Sequence, residues 1–369
     1  MKPRTLILLA KAPAKEIPSD LKEGNIPRIE YIELARALDA VILDFHDVSA
    51  SRHPAVRAAR KKSPYYGLAV MGLLRRREFE NIYATGEDIG MPLAALFHAV
   101  RDYGRLTVVI HQCDTPKRRL IMRALGPRIW GNVICLAEEQ RRILTEELGL
   151  PRHLVHRFDQ WIDPLFFTPD SADSRSESGE YAFSCGRESR DYLTLQRAAE
   201  TLPYSFRVVA SGWAPHAGFD AAVGITARSN VDVITGLSYR ELRDAYEGSR
   251  FVIVPLNRIT YAAGVTSVCE GMAMGKAIIV SDSPGIRDYV DPGISGLVVP
   301  VGDEVAMRQA IRELWENPKR CAIMGAHNRR WVEQELNVDR YVERVGGLFG
   351  IRGAHAPTNE RDFSEQERV

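Results

Sequence analysis

Short apolar runs rich in β-branched residues alternate with amphipathic segments along most of this chain, and that alternation constrains the fold more than any other feature. Continuous apolar runs are typical of strands that are buried on both faces of a sheet. The intervening segments have the apolar spacing of helices that cover such a sheet. A repeated strand–helix order therefore predicts parallel sheets with helices on both faces.

The predicted elements fall into two halves. In the first half, the predicted strands are Leu6–Leu9, Ala40–Leu43, Leu106–His111 and Asn132–Leu136, and the predicted helices are Ile29–Leu38 and Glu138–Leu148. In the second half, the strands are Tyr181–Cys185, Phe206–Ser211, Val231–Ile234, Phe251–Pro255 and Lys276–Ser281, and the helices are Leu193–Leu202, Tyr239–Gly248, Ser267–Met274 and Glu304–Glu316. We predict an α/β protein with two Rossmann-like domains whose parallel sheets face across a cleft, with ligands at the carboxyl ends of the strands.

A length of 369 residues suits two domains better than one hydrophobic core. The polar stretch 170–179, rich in Ser, Asp and Glu, is typical of a linker. We predict a first domain over 1–165, a linker over 166–180, a second domain over 181–350 and a disordered tail over 355–369. The last helix is expected to pack back on the first domain.

Composition excludes several classes of protein. The net charge is +1, which gives no global field that would attract a nucleic acid. No apolar stretch reaches the ~18–20 residues that span a bilayer, and the run Thr5–Ala10 fits a first strand better than a signal peptide. Five widely spaced cysteines with no Cys-x-x-Cys indicate neither a disulfide framework nor a zinc site. We expect a cytoplasmic protein, at most peripheral to the inner face of the membrane.

The stretch after Pro255 carries the strongest indication of a binding site. A glycine-preceded helix there offers unpaired N–H groups and a positive dipole end to an anion. Ser267 suits both a helix cap and a phosphate donor, and a carboxylate one turn later can accept hydrogen bonds from a ribose. The candidate nucleotide-binding residues are Gly264, Val265, Thr266, Ser267 and Glu270. Taken singly, they also suit a turn glycine, an ordinary cap and a first-turn acid.

The longer string around these residues resembles a known family. Glu270-Gly-Met-Ala-Met-Gly-Lys-Ala-Ile-Ile and Gly293-Ile-Ser-Gly-Leu-Val-Val-Pro-Val-Gly-Asp303 are similar to the donor-site signature of the family-4-like retaining glycosyltransferases, the glycosyl transferases group 1 of GT-B fold. The resemblance extends from about Thr107 to Tyr341. It implies transfer of a sugar from a nucleoside-diphosphate sugar to a hydroxyl acceptor, with retention of configuration. No Asp-x-Asp stands at a predicted strand exit, so we expect transfer without a metal.

One position departs from this family pattern. The family pattern contains two glutamates, and Glu270 matches the later one. The earlier glutamate, eight residues before it, is associated with the donor sugar in the family, and this chain has Ala262 at that position. The departure leaves the handling of the donor sugar open. It also leaves open a sugar-nucleotide-binding protein without catalysis, or a nucleotide-sugar epimerase of the same fold.

A second match begins at Tyr181, where a strand is followed by Gly186-Arg187-Glu-Ser-Arg190. It resembles the family's strand–Gly-Arg opening of the second domain, in which an arginine and a later lysine hold the diphosphate. Arg187 matches the arginine and Arg190 would take the place of the lysine, although Arg187 also suits a surface ion pair. By analogy, the residues that flank the nucleobase are Ser211, Gly212, Val233 and Ile234.

The first half is expected to bind the acceptor. His111 ends a buried strand, and it resembles the family's histidine that faces the donor sugar. We therefore assign a catalytic role to His111 and Asp114, with a structural histidine as the alternative. Gly86 and Glu87 follow another strand and are expected to line the acceptor site, although Glu87 and Asp114 equally suit helix caps.

The segment Arg52–Arg77 contains eight Lys or Arg residues and no acid, with Tyr65 and Tyr66 among them. Such a segment suits an anionic membrane surface or a phosphorylated lipid acceptor, or alternatively a solvated loop and helix. The predicted partners are a nucleotide sugar, with UDP as the first candidate nucleotide and GDP as the second, and an acceptor glycan, lipid or small molecule. No cofactor is expected. The Gly-x-Gly-x-x-Gly motif of dinucleotide-dependent oxidoreductases does not follow the first predicted strand, so an oxidoreductase is not indicated.

Overall fold

The computed structural model describes residues 5–169, 179–210 and 227–351 of the chain. The chain divides into two compact units. The first unit contains residues 1–23, 28–159 and 338–369, and the second contains residues 24–27 and 160–337. Each unit has a six-stranded sheet in which every pairing of the described strands is parallel. The predicted fold class of two Rossmann-like α/β domains is confirmed.

The first unit alternates strands and helices from its beginning. Its strands are β1 (Thr5–Leu8), β2 (Ala40–Leu43), β3 (Asn81–Ala84), β4 (Leu106–Ile110), β5 (Trp130–Cys135) and β6 (Val155–Arg157). Its helices up to residue 142 are α1 (Ile17–Glu23), α2 (Glu30–Ala37), α3 (Phe45–Ala50), α4 (Pro54–Arg60), α5 (Pro64–Arg75), α6 (Glu87–Ala99), α7 (Pro116–Leu125) and α8 (Glu138–Arg142). The helix predicted over Glu138–Leu148 is α-helical only to Arg142, and Ile143–Glu147 forms a π-helical turn.

The strand order of the first sheet is β2-β1-β3-β4-β5-β6. The chain adds β2 on one side of β1 and every later strand on the other side, so the order reverses between β1 and β3. Ligands of open parallel sheets bind at the carboxyl ends of the strands beside such a reversal. The residues that follow β1, β3 and the neighbouring β4 are therefore the candidates for a site in this unit.

The second unit has the same alternation with a different strand order. Its strands are β7 (Tyr181–Cys185), β8 (Phe206–Val209), β9 (Val231–Ile234), β10 (Ser249–Val254), β11 (Ala277–Ser281) and β12 (Gly296–Val299). Its helices are α9 (Tyr192–Ala199), α10 (Tyr239–Glu247), α11 (Val265–Ala273), α12 (Glu304–Glu316) and α13 (Pro318–Gln334). The order β9-β8-β7-β10-β11-β12 is that of a dinucleotide-type Rossmann sheet, and it reverses between β7 and β10.

Burial explains why β10 and β11 are almost continuous apolar runs. Val252, Ile253 and Val254 have no exposed surface, and neither do Ile278 and Ile279. Successive side chains of a strand point to opposite faces, and both faces of this sheet are covered by helices, so every position of a central strand must be apolar. The sequence signal for these strands is therefore strong.

The last described helix, α14 (Val338–Leu348), belongs to the first unit. Its buried Tyr341 hydroxyl lies 2.7 Å from that of Tyr83 on β3, and Arg344 pairs with Asp159 at 2.9 Å. The first unit is thus completed by residues from the end of the described chain. Among the described residues, every helix is too short or too polar to cross a bilayer.

Candidate functional site

The N-terminus of α11 lies at the reversal point of the second sheet, because it follows the loop after β10. Gly264 is the N-cap, with φ +84°, a left-handed conformation that glycine adopts without steric cost. Gly264 has no side chain that could cap this helix, whereas Ser238 caps α10 and Asp303 caps α12. The expectation that Ser267 caps the helix is wrong, since Ser267 is its third residue. The first N–H groups of α11 have the geometry and the dipole that suit an anion.

Arg190 extends its guanidinium to this helix end. Its Nη2 donates to the Ser267 hydroxyl at 2.9 Å, and Nε and Nη1 donate to the backbone oxygens of Cys185 and Glu188 at 3.0 and 2.9 Å. These three bonds fix the plane of the guanidinium beside the helix N-terminus. A planar cation held in this way suits contact with phosphate oxygens.

Two glycines make room for this guanidinium. Gly186 has φ +105°, and a Cβ at this position would overlap Nη2 of Arg190. A Cβ on Gly264 would lie 3.2 Å from Nη1 and 3.0 Å from a methyl group of Val254. The glycines after β7 and before α11 therefore allow the arginine to lie flat between the two strand ends.

Glu270 is one turn further along α11 and is buried, with 6% of its surface exposed. Its Oε2 accepts a hydrogen bond of 2.7 Å from the hydroxyl of Tyr246 on α10. Burial raises the pKa of Glu270 to about 7, and the opposing effects of the Tyr246 hydrogen bond and the Arg190 charge are smaller. The pKa of this carboxyl group therefore lies near neutral pH.

Cys185, the last residue of β7, connects these groups. Its Sγ lies 2.9 Å from the Tyr246 hydroxyl and 3.4 Å from the Ser267 hydroxyl. Burial raises the pKa of the Cys185 thiol to about 11, so the sulfur is a neutral thiol here. Sequence reasoning missed both residues, because the match around Gly186 and Arg187 gives Cys185 no role and Tyr246 belongs to no recognised motif.

The remaining residues predicted for the nucleotide site have varied positions. Arg187 is half-buried directly after Gly186, and Thr266 is exposed at the second position of α11. Val233 and Ile234 are half-buried at the carboxyl end of β9, the edge strand two positions from β7. Ser211 and Gly212 lie outside the described residues.

Two positions of the family-like string have structural roles. Lys276 is completely buried, and its ammonium donates to the backbone oxygens of Glu247 and Ser249 at 2.8 Å each. It therefore binds the carbonyl end of α10, where the helix dipole favours a cation. Ala262 is partly buried against the core of the second unit, in the loop that leads to α11.

In the first unit, His111 and Glu87 meet at the carboxyl edge of the sheet. The buried Glu87 carboxylate accepts from the backbone N–H groups of His111 at 2.9 Å and Gln112 at 3.2 Å, and pairs with Arg118 at 3.1 Å. Glu87 is the first residue of α6, not its cap. Its observed contacts fix the loop after β4, which leaves the exposed His111 ring at the edge.

The His111 ring is held beside the end of β3. Its Nε2 lies 3.0 Å from the backbone oxygen of Thr85. A Cβ atom placed on Gly86 would lie 3.7 Å from Cδ2 of the His111 ring. Asp114 is half-buried in the loop that leads to α7. The structure therefore brings His111, Gly86 and Glu87 together. Within the described ranges, no group of three His, Cys, Asp or Glu side chains is arranged to hold a metal ion.

A Rossmann sheet with an arginine at a glycine-preceded helix end and a buried carboxylate at its reversal point is an arrangement typical of nucleotide-binding α/β proteins. Residues 224–331, which include α11 and β11, match the model of the family described as glycosyl transferases group 1. The chain is 24% identical over 279 residues to the D-rhamnosyltransferase WbpZ of Pseudomonas aeruginosa, covering 68% of this chain and 69% of that protein. It is also 24% identical to the O-antigen chain mannosyltransferase C of Escherichia coli, over 70% and 72% of the two chains.

Solved structures share the whole fold. Anabaena HepE in complex with UDP and glucose superposes with a TM-score of 0.69 at 14% identity, over 93% of this chain and 99% of that one. The sucrose-phosphate synthase of Thermosynechococcus elongatus gives 0.67 at 14% identity, over 94% and 98%. The second unit thus carries a region that matches the glycosyl transferases group 1, and the chain is a glycosyltransferase of GT-B fold.

Proposed function

We propose that the second unit binds a nucleoside-diphosphate sugar and that the enzyme transfers the sugar to a hydroxyl acceptor. The observation that carries this proposal is the uncapped N-terminus of α11 with the Arg190 guanidinium against it. UDP is the first candidate nucleotide and GDP the second. HepE, which has the same fold, was solved with UDP and glucose, which supports this order.

Each part of the donor has a proposed partner. The α11 N-terminus, Arg190 and Arg187 take the diphosphate, where they stabilise the charge that develops on the leaving group. Glu270 accepts hydrogen bonds from the ribose hydroxyls. The base lies toward Val233 and Ile234, and His111 and Asp114 serve the sugar and acceptor.

We propose that transfer retains the anomeric configuration and needs no metal, since two arginines and the helix end supply positive charge to the phosphates. Activity unchanged by a chelator, and a product with the anomeric configuration of the donor by NMR, are the expected results. Loss of activity in the chelator, restored by a divalent cation, would contradict the metal-free proposal.

The direct test is calorimetry with UDP and GDP on the full chain. Glu270→Ala should weaken binding of the preferred nucleotide by about 1–3 kcal/mol, because charge-assisted hydrogen bonds to the ribose are lost. Glu200→Ala, at an exposed position after α9, is the control. Equal affinity of the Glu270 variant and the wild type would refute the ribose assignment. If the protein binds a nucleotide sugar and mass spectrometry detects neither transfer nor hydrolysis of that sugar, the proposed sugar transfer is refuted.

The basic segment separates into structural and exposed cations. Arg60 donates to the backbone oxygens of Val48 and Ser49, Arg75 pairs with Glu78, and Arg76 pairs with Asp102. The exposed cations are Arg52, Arg57, Lys61, Lys62 and Arg77, on and around α4 and α5. Tyr66 and Leu74 are exposed on the same surface segment. We propose that this exposed basic surface contacts anionic phospholipids, since each cation near such a surface contributes about 1 kcal/mol.

Cosedimentation with vesicles tests the membrane contact. Lys61→Glu/Lys62→Glu should reduce binding to vesicles that contain anionic phospholipid by at least tenfold at low salt. Lys319→Glu/Arg330→Glu makes the same change of net charge at exposed positions of the second unit and should not. Equal binding of both double variants, or no preference for anionic vesicles, would exclude a specific role for this surface.

A further inference from the structure

Tyr246 lies on α10, outside the loops and helix end that form the candidate donor site, yet it is the residue that contacts Glu270. We propose that Tyr246 is a positioning residue for donor binding, whose hydroxyl holds the Glu270 carboxylate in the orientation that receives the ribose. This inference rests on the proposed function of Glu270.

The position of the Tyr246 hydroxyl is fixed by packing. The side chain has no exposed surface, and its ring lies edge-on to Phe183 at 4.7 Å and to Phe167 at 6.3 Å between ring centres. Rotation of a ring held between two aromatic side chains would require the core to open. The 2.7 Å contact with Oε2 therefore fixes one carboxylate oxygen, and through it the direction of the other.

The single proton of the Tyr246 hydroxyl can serve both states of Glu270. With the carboxylate ionised, the hydroxyl donates to Oε2, and the Cys185 thiol at 2.9 Å can donate to the phenol oxygen. With the carboxyl protonated, its O–H can donate to the phenol, which then turns to the Ser267 backbone oxygen at 3.3 Å. The network thus keeps the Glu270 side chain in place while its charge changes.

Ligand binding favours one of these two states. Ribose hydroxyls are donors, so they stabilise the ionised carboxylate. The charged or titratable groups that face Glu270 are Tyr246 from α10, Cys185 from β7 and Arg190 from the loop after β7. Of the two described groups that favour ionisation of Glu270, removal of the Tyr246 hydroxyl leaves Arg190, so the pH at which the nucleotide affinity reaches its plateau should rise.

The experiment is a titration of UDP affinity against pH, from 5.5 to 8.5, by calorimetry. For Tyr246→Phe we expect affinity at pH 7 to fall about fivefold, the typical effect of one hydrogen bond, and the midpoint of the pH profile to move upward. Glu270→Gln is measured in parallel, because only the titration of the ligand's own phosphate remains in that variant.

Tyr181→Phe is the matched control. The Tyr181 hydroxyl is buried in the same core and donates to the Ala245 backbone oxygen at 2.8 Å, without contact to Glu270. It should lose similar stability and keep the wild-type midpoint. Cys185→Ala removes the thiol contact but keeps the Tyr246 hydroxyl, and should move the midpoint upward by a smaller amount, which tests the inference even if Tyr246→Phe does not fold.

The outcomes separate this inference from the proposed function. No nucleotide binding by the wild type, or equal binding and pH profiles for the wild type and Glu270→Gln, would overturn the role of Glu270 itself. Weaker binding by Glu270→Gln with a wild-type midpoint for both Tyr246→Phe and Cys185→Ala would overturn only the positioning role. The same midpoint shift in Tyr181→Phe as in Tyr246→Phe would also overturn it, since it would reflect general loosening of the core.

Discussion

Replacing Arg190 by alanine is expected to lower the rate of sugar transfer by about 100- to 1000-fold, the usual effect of removing a preorganised group that stabilises developing charge. The guanidinium already lies against the α11 N-terminus, held by Ser267, Cys185 and Glu188. It therefore needs no rearrangement when negative charge accumulates on the leaving diphosphate. Arg190→Lys keeps the charge but not the planar fork, so it should recover only part of the rate.

The measurement is the transfer rate at saturating donor, with thermal unfolding to confirm that the variant folds. Arg197→Ala removes an exposed arginine from α9 and should leave the rate unchanged. Binding of the uncharged nucleoside, which lacks phosphates, should be the same in Arg190→Ala and the wild type. A loss of nucleoside binding equal to the loss of nucleotide binding would show that Arg190 shapes the ribose pocket instead of binding the diphosphate.

The fold was predictable from sequence where strands are buried on both faces. β10 and β11 are central strands, and their continuous apolar runs placed them within two residues of the observed bounds. β3 is a central strand with one half-buried residue, yet it was expected only as a strand before Gly86 and its bounds were not predicted. β6 and β12 were not predicted at all. They are edge strands of three and four residues, with partly exposed positions that break the apolar run. Their pairing comes from the neighbouring strand rather than from their own sequence.

The site was predictable where the local sequence determines the geometry. A glycine before a helix that follows a buried strand indicates an anion-binding helix end, and α11 has that arrangement. The choice between Arg187 and Arg190 depends on a tight reversal in which Ser189 has φ +56° and accepts a hydrogen bond from the backbone N–H of Asn257. Such a contact between distant segments leaves no local pattern, so the sequence alone could not show that Arg190 reaches Ser267.

The residues around Glu270 and His111 were the least predictable. Tyr246 lies 24 positions before Glu270, on a helix whose spacing indicates only an amphipathic face. Glu87 was expected to bind an acceptor or cap a helix, yet its observed contacts hold the backbone of His111 and Gln112. In both cases the role of a polar side chain is determined by which distant groups become buried beside it, and burial of that kind is a property of the tertiary structure.

The second large effect is on stability, and it comes from the same buried carboxyl group. The pKa of Glu270 is raised from 4.5 to about 7 in the folded protein because burial disfavours the charged form. Between these two pH values the folded state holds a proton that the unfolded state has released. The free energy of unfolding therefore decreases as pH rises through this window, by about 3 kcal/mol in total, and stays at the lower value above pH 7.

Glu270→Gln removes this titration while keeping a side chain of the same shape. Urea-induced unfolding from pH 5 to pH 8 should show the wild type losing about 2–3 kcal/mol relative to Glu270→Gln, whatever constant offset the amide introduces. Glu200→Gln, at an exposed position, should give a curve parallel to the wild type. Parallel curves for the wild type and Glu270→Gln would mean that Glu270 is ionised throughout this range in the folded protein.

A nucleotide that binds the Glu270 carboxylate must displace this proton. Saturating UDP should therefore flatten the dependence of wild-type stability on pH. Stability and nucleotide affinity would then both report the ionisation of Glu270.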